Sequence, residues 1–177
     1  MTKRAISAKD LDAARAKISA VVEETVVETF TTMFGQDVTA DGVRKMNVAS
    51  GHKSVYSAVK LHQGDVHVEF CFHFDFDLLF RVAALLFTPE DLEKSPVHED
   101  VACEIANIVC SKVKAFLNEE GFGTEMGFPY VPEHEENHIV NNPDMVHMHF
   151  YYDGAHKDGR DVGVVVNFFT DGKGHAG

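Results

Sequence analysis

The chain has 177 residues, 45% of them apolar and 25% charged, the balance of a soluble globular protein rather than of a disordered, collagen-like or low-complexity one. Sixteen lysines and arginines face 28 aspartates and glutamates, a formal charge of −12, and so acidic a surface repels phosphate backbones, so nucleic acid is not an expected partner. No apolar run reaches the roughly 20 residues of a membrane span, and Met1-Thr2-Lys3-Arg4-Ala5-Ile6-Ser7 leads into Lys9, Asp10 and Asp12, where a signal peptide would need its apolar stretch. A cytoplasmic protein with no membrane partner is expected. Cys71, Cys103 and Cys110 are odd in number and lack CxxC spacing, so they read as reduced and packed rather than as a disulfide framework. The length suits one domain over residues 1–177, with a core over about 7–169 and a flexible tail over 170–177.

Residues 7–34 repeat apolar side chains at helical spacing: Leu11, Ala14, Ile18, Val22, Val26, Phe30 and Met33. Ser7 with Asp10 three residues on is a cap, and Gly35 an end. From Gly51 the period becomes two. Val55, Ser57, Val59 and Leu61, then Val66, Val68, Phe70, Phe72 and Phe74, alternate with polar residues on either side of Gln63-Gly64-Asp65, which is a hairpin with one apolar face. Asp75 or Asp77 caps a second helix through Leu86, Thr88-Pro89-Glu90-Asp91 starts a short one, and Ser95-Pro96 opens a long one over about 96–119, closed by Gly121. Residues 122–131 read as extended, 132–144 as polar and proline-bounded, and Val146-Met148-Phe150 and Val162-Val164-Val166-Phe168 as two further strands.

The order α-β-β-α-α-β-β-β gives an α+β fold, an antiparallel sheet with a layer of helices on one face. A thinly covered second face would leave His67, Glu69, His73, His147 and His149 exposed or at a subunit contact. In the helix 96–119, steps of three and four place Asp100, Glu104, Asn107, Ser111, Lys114 and Asn118 on one polar stripe opposite Ala102, Ile105, Ala106, Val109 and Val113. Asparagine in mid-helix costs a little relative to lysine or glutamate, so Asn107 on this stripe is a feature to account for.

The segment His98-Glu99-Asp100-Val101-Ala102-Cys103-Glu104-Ile105-Ala106-Asn107-Ile108-Val109, with its E-x-x-N core, resembles the active helix of the CheX members of the CheC/CheX/FliY chemotaxis phosphatases, and the order of elements over about residues 10–169 is similar to theirs. In that family the CheC type carries two E-x-x-N helices and the CheX type one; Glu104 to Asn107 is the single such match here. The sequence departs from the family's pattern at Phe128-Pro129-Tyr130-Val131-Pro132 and the polar insertion after it.

The resemblance implies a phosphatase for the phospho-aspartate of a CheY-like response regulator, cytoplasmic and homodimeric, with no cofactor of its own and Mg²⁺ carried by the regulator. An acyl phosphate already has a good leaving group, so positioning a water in line with phosphorus is the main need. An amide meets it, accepting from the water and donating to a phosphoryl oxygen without titrating. Asn107 is the candidate for that role, the resemblance implies Glu104 as the partner of the regulator's active-site lysine, and Asp100 and Ser111 on the same stripe are candidates for further partner contacts. A non-catalytic binding module of the same fold, for a regulator or flagellar partner, is the alternative. The apolar alternation over 162–169 is compatible with a strand that pairs between subunits.

Two further patterns compete. His134-Glu135-Glu136-Asn137-His138 matches the H-E-x-x-H of zinc hydrolases, but Pro132 and Pro143 bracket it and it lacks the apolar positions of a core helix. His67 and His73 with His147 and His149 could gather a metal if their strands were adjacent. No metal site is assigned.

Overall fold

The computed structural model describes residues 5–44, 53–94, 96–132, 144–153 and 161–171. The first helix, α1 (Ala8–Glu28), begins with the expected cap: Ser7 and Asp10 exchange bonds as a capping box. It runs on through a π turn, Thr29–Met33. The wider π turn shifts the phase of the residues around it, so Phe30 and Phe34 face inward with rings 6.1 Å apart, while Met33, placed on the apolar stripe by simple periodicity, is 59% exposed. Gly35 ends the segment at φ +61°.

Six strands lie among the described residues: β1 (Val38–Arg44), β2 (Ser54–Gln63), β3 (Val66–Asp75), β4 (Glu125–Met126), β5 (Val146–Tyr152) and β6 (Asp161–Asp171). They form one antiparallel sheet in the order β1-β5-β6-β3-β2-β4. Between β3 and β4 come α2 (Phe76–Leu86), α3 (Pro89–Leu92) and α4 (Val97–Glu119). Asp75 caps α2, accepting from the amides of Asp77 and Leu78, and Thr88 caps α3. The hairpin of β2 and β3 turns at Gly64, at φ +60°. β1 is not announced by alternation: Gly42 at φ +70° and a register shift between Ala40 and Val43 interrupt its period.

One sheet face is built from Val55, Val59, Leu61, Phe70, Phe72, Phe74, Met148, Phe150, Val164, Val166 and Phe168, all buried. Against it pack Leu11, Ile18, Val22 and Val26 of α1 and Ala102, Ile105, Ala106, Val109, Val113 and Leu117 of α4. This is the expected α+β arrangement of helices on one face. Strand β6 does not hold an edge. It bonds β5 on one side and β3 on the other, so residues 162–169 pair within the chain, correcting the expectation that they could pair between subunits.

The second face also departs from expectation. Opposite the core run the rows Tyr56-His73-Val165-His149 and Ala58-Cys71-Asn167-His147, and His149, His147, Asn167, Val165 and Cys71 are all buried. His67, Glu69 and His73 keep partial exposure. The rows are tied by polar bonds. Asn167 Oδ1 can only accept, so His147 Nδ1 donates to it at 2.6 Å, while Asn167 Nδ2 donates to His73 Nε2 at 3.3 Å. That bond needs an unprotonated Nε2. Burial, then to a lesser extent the nearby His147 and His149, lowers the His73 pKa from 6.5 to about 4.

Gly163 lies where β6 passes beneath α2. A Cβ there would sit 2.5 Å from Leu78 Cδ2 and 2.7 Å from Tyr152 Cδ1, and Tyr152 is held by its hydroxyl bond to Asp75 at 2.7 Å. Gly163→Ala should therefore lose about 1–3 kcal/mol by overpacking, read as a lower urea midpoint; a loss below about 0.5 kcal/mol would show that the corner yields. For His73 the folded pKa is depressed, so the unfolded chain takes the proton first as pH falls below 6.5, and stability present above that value is lost down to pH 4. The loss attributable to this group is up to about 3 kcal/mol. His73→Gln should flatten the fall in urea midpoint over that window relative to wild type; parallel curves would contradict the assignment.

Candidate functional site

Helix α4 is 23 residues long, about 35 Å at 1.5 Å per residue. Its apolar side is committed to the sheet, so its opposite side has to face solvent. The structure places Asp100, Glu104 and Ser111 on that side as exposed residues and Asn107 among them as a half-buried one. Glu104 and Asn107 are one turn apart, with side-chain roots about 5–6 Å from each other. Among the described residues neither side chain is engaged in a hydrogen bond or ion pair, so a carboxylate and an amide stand ready for a partner. Because they sit on the convex side of a helix, a surface that reaches down onto the ridge meets them better than a small molecule does.

The lower part of the stripe has another use. Asn118 Oδ1 accepts from both the amide and the hydroxyl of Thr124, each at 2.9 Å, which binds the end of α4 to the chain that turns at Gly121 into β4. Asn118 is thereby a structural residue, although periodicity alone puts it on the stripe. Lys17 and Glu120 add an exposed ion pair at 3.1 Å between α1 and the end of α4, of small energetic weight. Ser111 Oγ lies 3.9 Å from Met126 Sδ, so the outer sheet edge begins directly beside the stripe.

The height of Glu104 and Asn107 over the sheet is set by a residue that periodicity treats as a lapse. Ser57 stands in the apolar row of β2, is fully buried, and donates to the carbonyl of Ala102 at 3.1 Å. Apolar contacts alone resist separation of helix and sheet more than sliding; a directed bond resists sliding as well. The signal in the sequence was one hydroxyl in an otherwise apolar alternation.

The cysteines of α4 pack rather than react. Cys110 is buried and its thiol is pushed well up by that burial; Cys103, partly exposed, is raised by burial and then by Asp100 and Glu99, so neither is a thiolate at neutral pH. The histidine metal cluster does not form: β3 and β5 are separated by β6, and among the described residues no three His, Cys, Asp or Glu side chains come together as a metal set. His134, Glu135 and His138 lie outside the described residues. No described helix is long and apolar enough to cross a membrane.

No curated protein matches the chain. Among solved structures, it is similar to the chemotaxis protein CheX of Vibrio vulnificus at 18% identity and TM-score 0.66, over 88% of this chain and 99% of that one. It is similar to CheX of Desulfovibrio desulfuricans at 21% identity and TM-score 0.64, again over 88% and 99%. A CheX-CheY-BeF3-Mg²⁺ complex from Borrelia burgdorferi gives 18% identity and TM-score 0.62, over 85% of this chain and 96% of the matched one. At such identities these likenesses establish the fold. The family model described as chemotaxis phosphatase CheX matches residues 55–152, more than half of the chain and the whole of α4, and the chain belongs to the CheX family.

Proposed function

We propose that this protein is an aspartyl-phosphate phosphatase that acts on a CheY-like response regulator in the cytoplasm and so ends a chemotaxis-type signal. The observation that carries the reading is the pair Glu104 and Asn107, uncommitted, one turn apart and outward on a helix whose position is fixed from below by Ser57. The Borrelia structure, a complex of CheX with CheY, BeF3 and Mg²⁺, supports a regulator as partner and Mg²⁺ as the regulator's own ion. The single CheX-like unit of residues 1–177 brings no cofactor to the reaction. Strand β1, at one end of the strand order, offers an edge through which two sheets could join, in keeping with a homodimer.

In this reading Glu104 pairs with the ammonium of the regulator's active-site lysine, a charge-assisted contact that fixes register and strengthens as water leaves. Asn107 then stands one turn further along the helix, beside the phosphoryl group. Its Oδ1 accepts from a water in line with phosphorus and its Nδ2 donates to a phosphoryl oxygen. The water's oxygen bonds to phosphorus as the bond to the aspartate oxygen breaks; the carboxylate leaves, and the water's protons pass to phosphate and solvent. The amide holds the attacking geometry without changing protonation state. Asp100 and Ser111 meet the regulator on either side of the pair.

Dephosphorylation of a CheY-like regulator from the same organism tests the division of roles. Asn107→Ala should lower kcat by about 100-fold or more with binding of the beryllofluoride-activated regulator nearly unchanged. Glu104→Ala should weaken that binding by at least about tenfold. Equal and small effects of the two substitutions would sink the assignment, and binding by wild type without faster dephosphorylation would make the chain a non-catalytic module of this fold.

A further inference from the structure

The most exposed large apolar side chain among the described residues is Phe128, at 94%. It is not on a frayed segment. Gly127 N donates to Lys60 O at 2.9 Å, and Tyr130 and Ala58 exchange backbone bonds at 3.0 and 2.8 Å, so the chain is pinned to β2 on both sides of Phe128 and Pro129 stiffens the turn between. Met126 pairs with Leu61 and Tyr130 with Ala58. The outer strand thus has one residue more than β2 over this stretch, and the surplus throws Phe128 outward.

The register also tells its height. Ser57 is level with Ala102 through their bond, and Leu61, through Met126, is level with Ser111. Four strand residues advance about 13 Å and nine helix residues about 14 Å, so β2 and α4 run in the same direction in step. Phe128 faces the chain between Val59 and Lys60, about 8 Å beyond Ser57. On the helix the same advance is about five to six residues past Ala102, which is the level of Asn107. Sideways, Ser111 touches Met126, and Phe128 is two residues, about 7 Å, from Met126. A protein partner of ordinary size covers about 800 Å², a disc of about 16 Å radius, which is comparable with the reach from Asn107 past Ser111 and Met126 to Phe128.

We propose that Phe128 is a docking anchor for the phosphorylated response regulator, an aromatic side chain held at the height of Asn107 that enters an apolar recess on the regulator's surface beside its phosphorylation site. The proposal rests on the phosphatase reading above and adds to it a contact outside the E-x-x-N helix. An exposed, pre-positioned aromatic ring contributes contact area while losing little freedom on binding, which is the profile of residues that dominate interface energies.

Binding of the beryllofluoride- and Mg²⁺-activated CheY-like regulators of the source organism to the full chain provides the test, with the unactivated regulators alongside. Phe128→Ala should raise Kd, and KM for dephosphorylation, by about tenfold or more, leave kcat at saturating regulator within about twofold, and leave the melting temperature unchanged, as befits a side chain with little packing to lose. Phe128→Tyr should restore binding to within about threefold. If wild type binds and Phe128→Ala binds equally well, the docking role is overturned while the phosphatase reading stands. If wild type binds no activated regulator, both fall together.

Discussion

The hold of the sheet on α4 governs the site. About ten apolar side chains fix which side of the helix is inward, and the bond from Ser57 to Ala102 fixes where along the sheet the helix stops. A hydroxyl in a dry core is costly unless it is bonded, and here its bond goes to the backbone of the helix that carries Glu104 and Asn107. The two outward residues are therefore not placed by anything they touch themselves. Their position is inherited from the opposite side of the helix, which leaves their own polar atoms at liberty.

The sheet carries two unlike environments on the same strands. Alternation puts Phe70, Phe72 and Phe74 on one side and Glu69, Cys71 and His73 on the other, so β3 serves both an apolar core and a polar, histidine-bearing layer. The latter is locked by Asn167 between His147 and His73. A neutral His73 is the condition of that lock. The histidine layer and the positioning of the site thus lie on opposite faces of the same strands.

Local chemistry was readable wherever a rule of short range applied. The capping box at Ser7 and Asp10, the turn at Gly64, the caps at Asp75 and Thr88, the stop at Gly121 and the shared outward side of Glu104 and Asn107 each depend on residues a few positions apart, and the helix-on-sheet class came from the order of the elements. Features set by the chain's long-range arrangement were not readable. Met33 is turned outward by one π turn; β1 is hidden by its own bulge at Gly42; Asn118 is diverted from the stripe by Thr124, beyond the end of its helix. The burial of His147 and His149 and the interior place of β6 depend on which strands become neighbours, which no local pattern encodes. The bond of Ser57 to the helix and the level of Phe128 beside it likewise required the register between strand and helix.

That interior place of β6 has a consequence for how the molecule comes into being. The other five described strands precede it in the chain, yet it lies between β5 and β3 and is the seam on which both halves of the sheet close. Until residues 161–171 leave the ribosome, β3, β2 and β4 on one side and β1 with β5 on the other have no strand to join them, and each group carries an apolar face and the edge that β6 will cover. The nascent chain has to keep these surfaces from other partners while it waits for the strand that joins them, a burden characteristic of folds whose decisive contacts are distant in sequence.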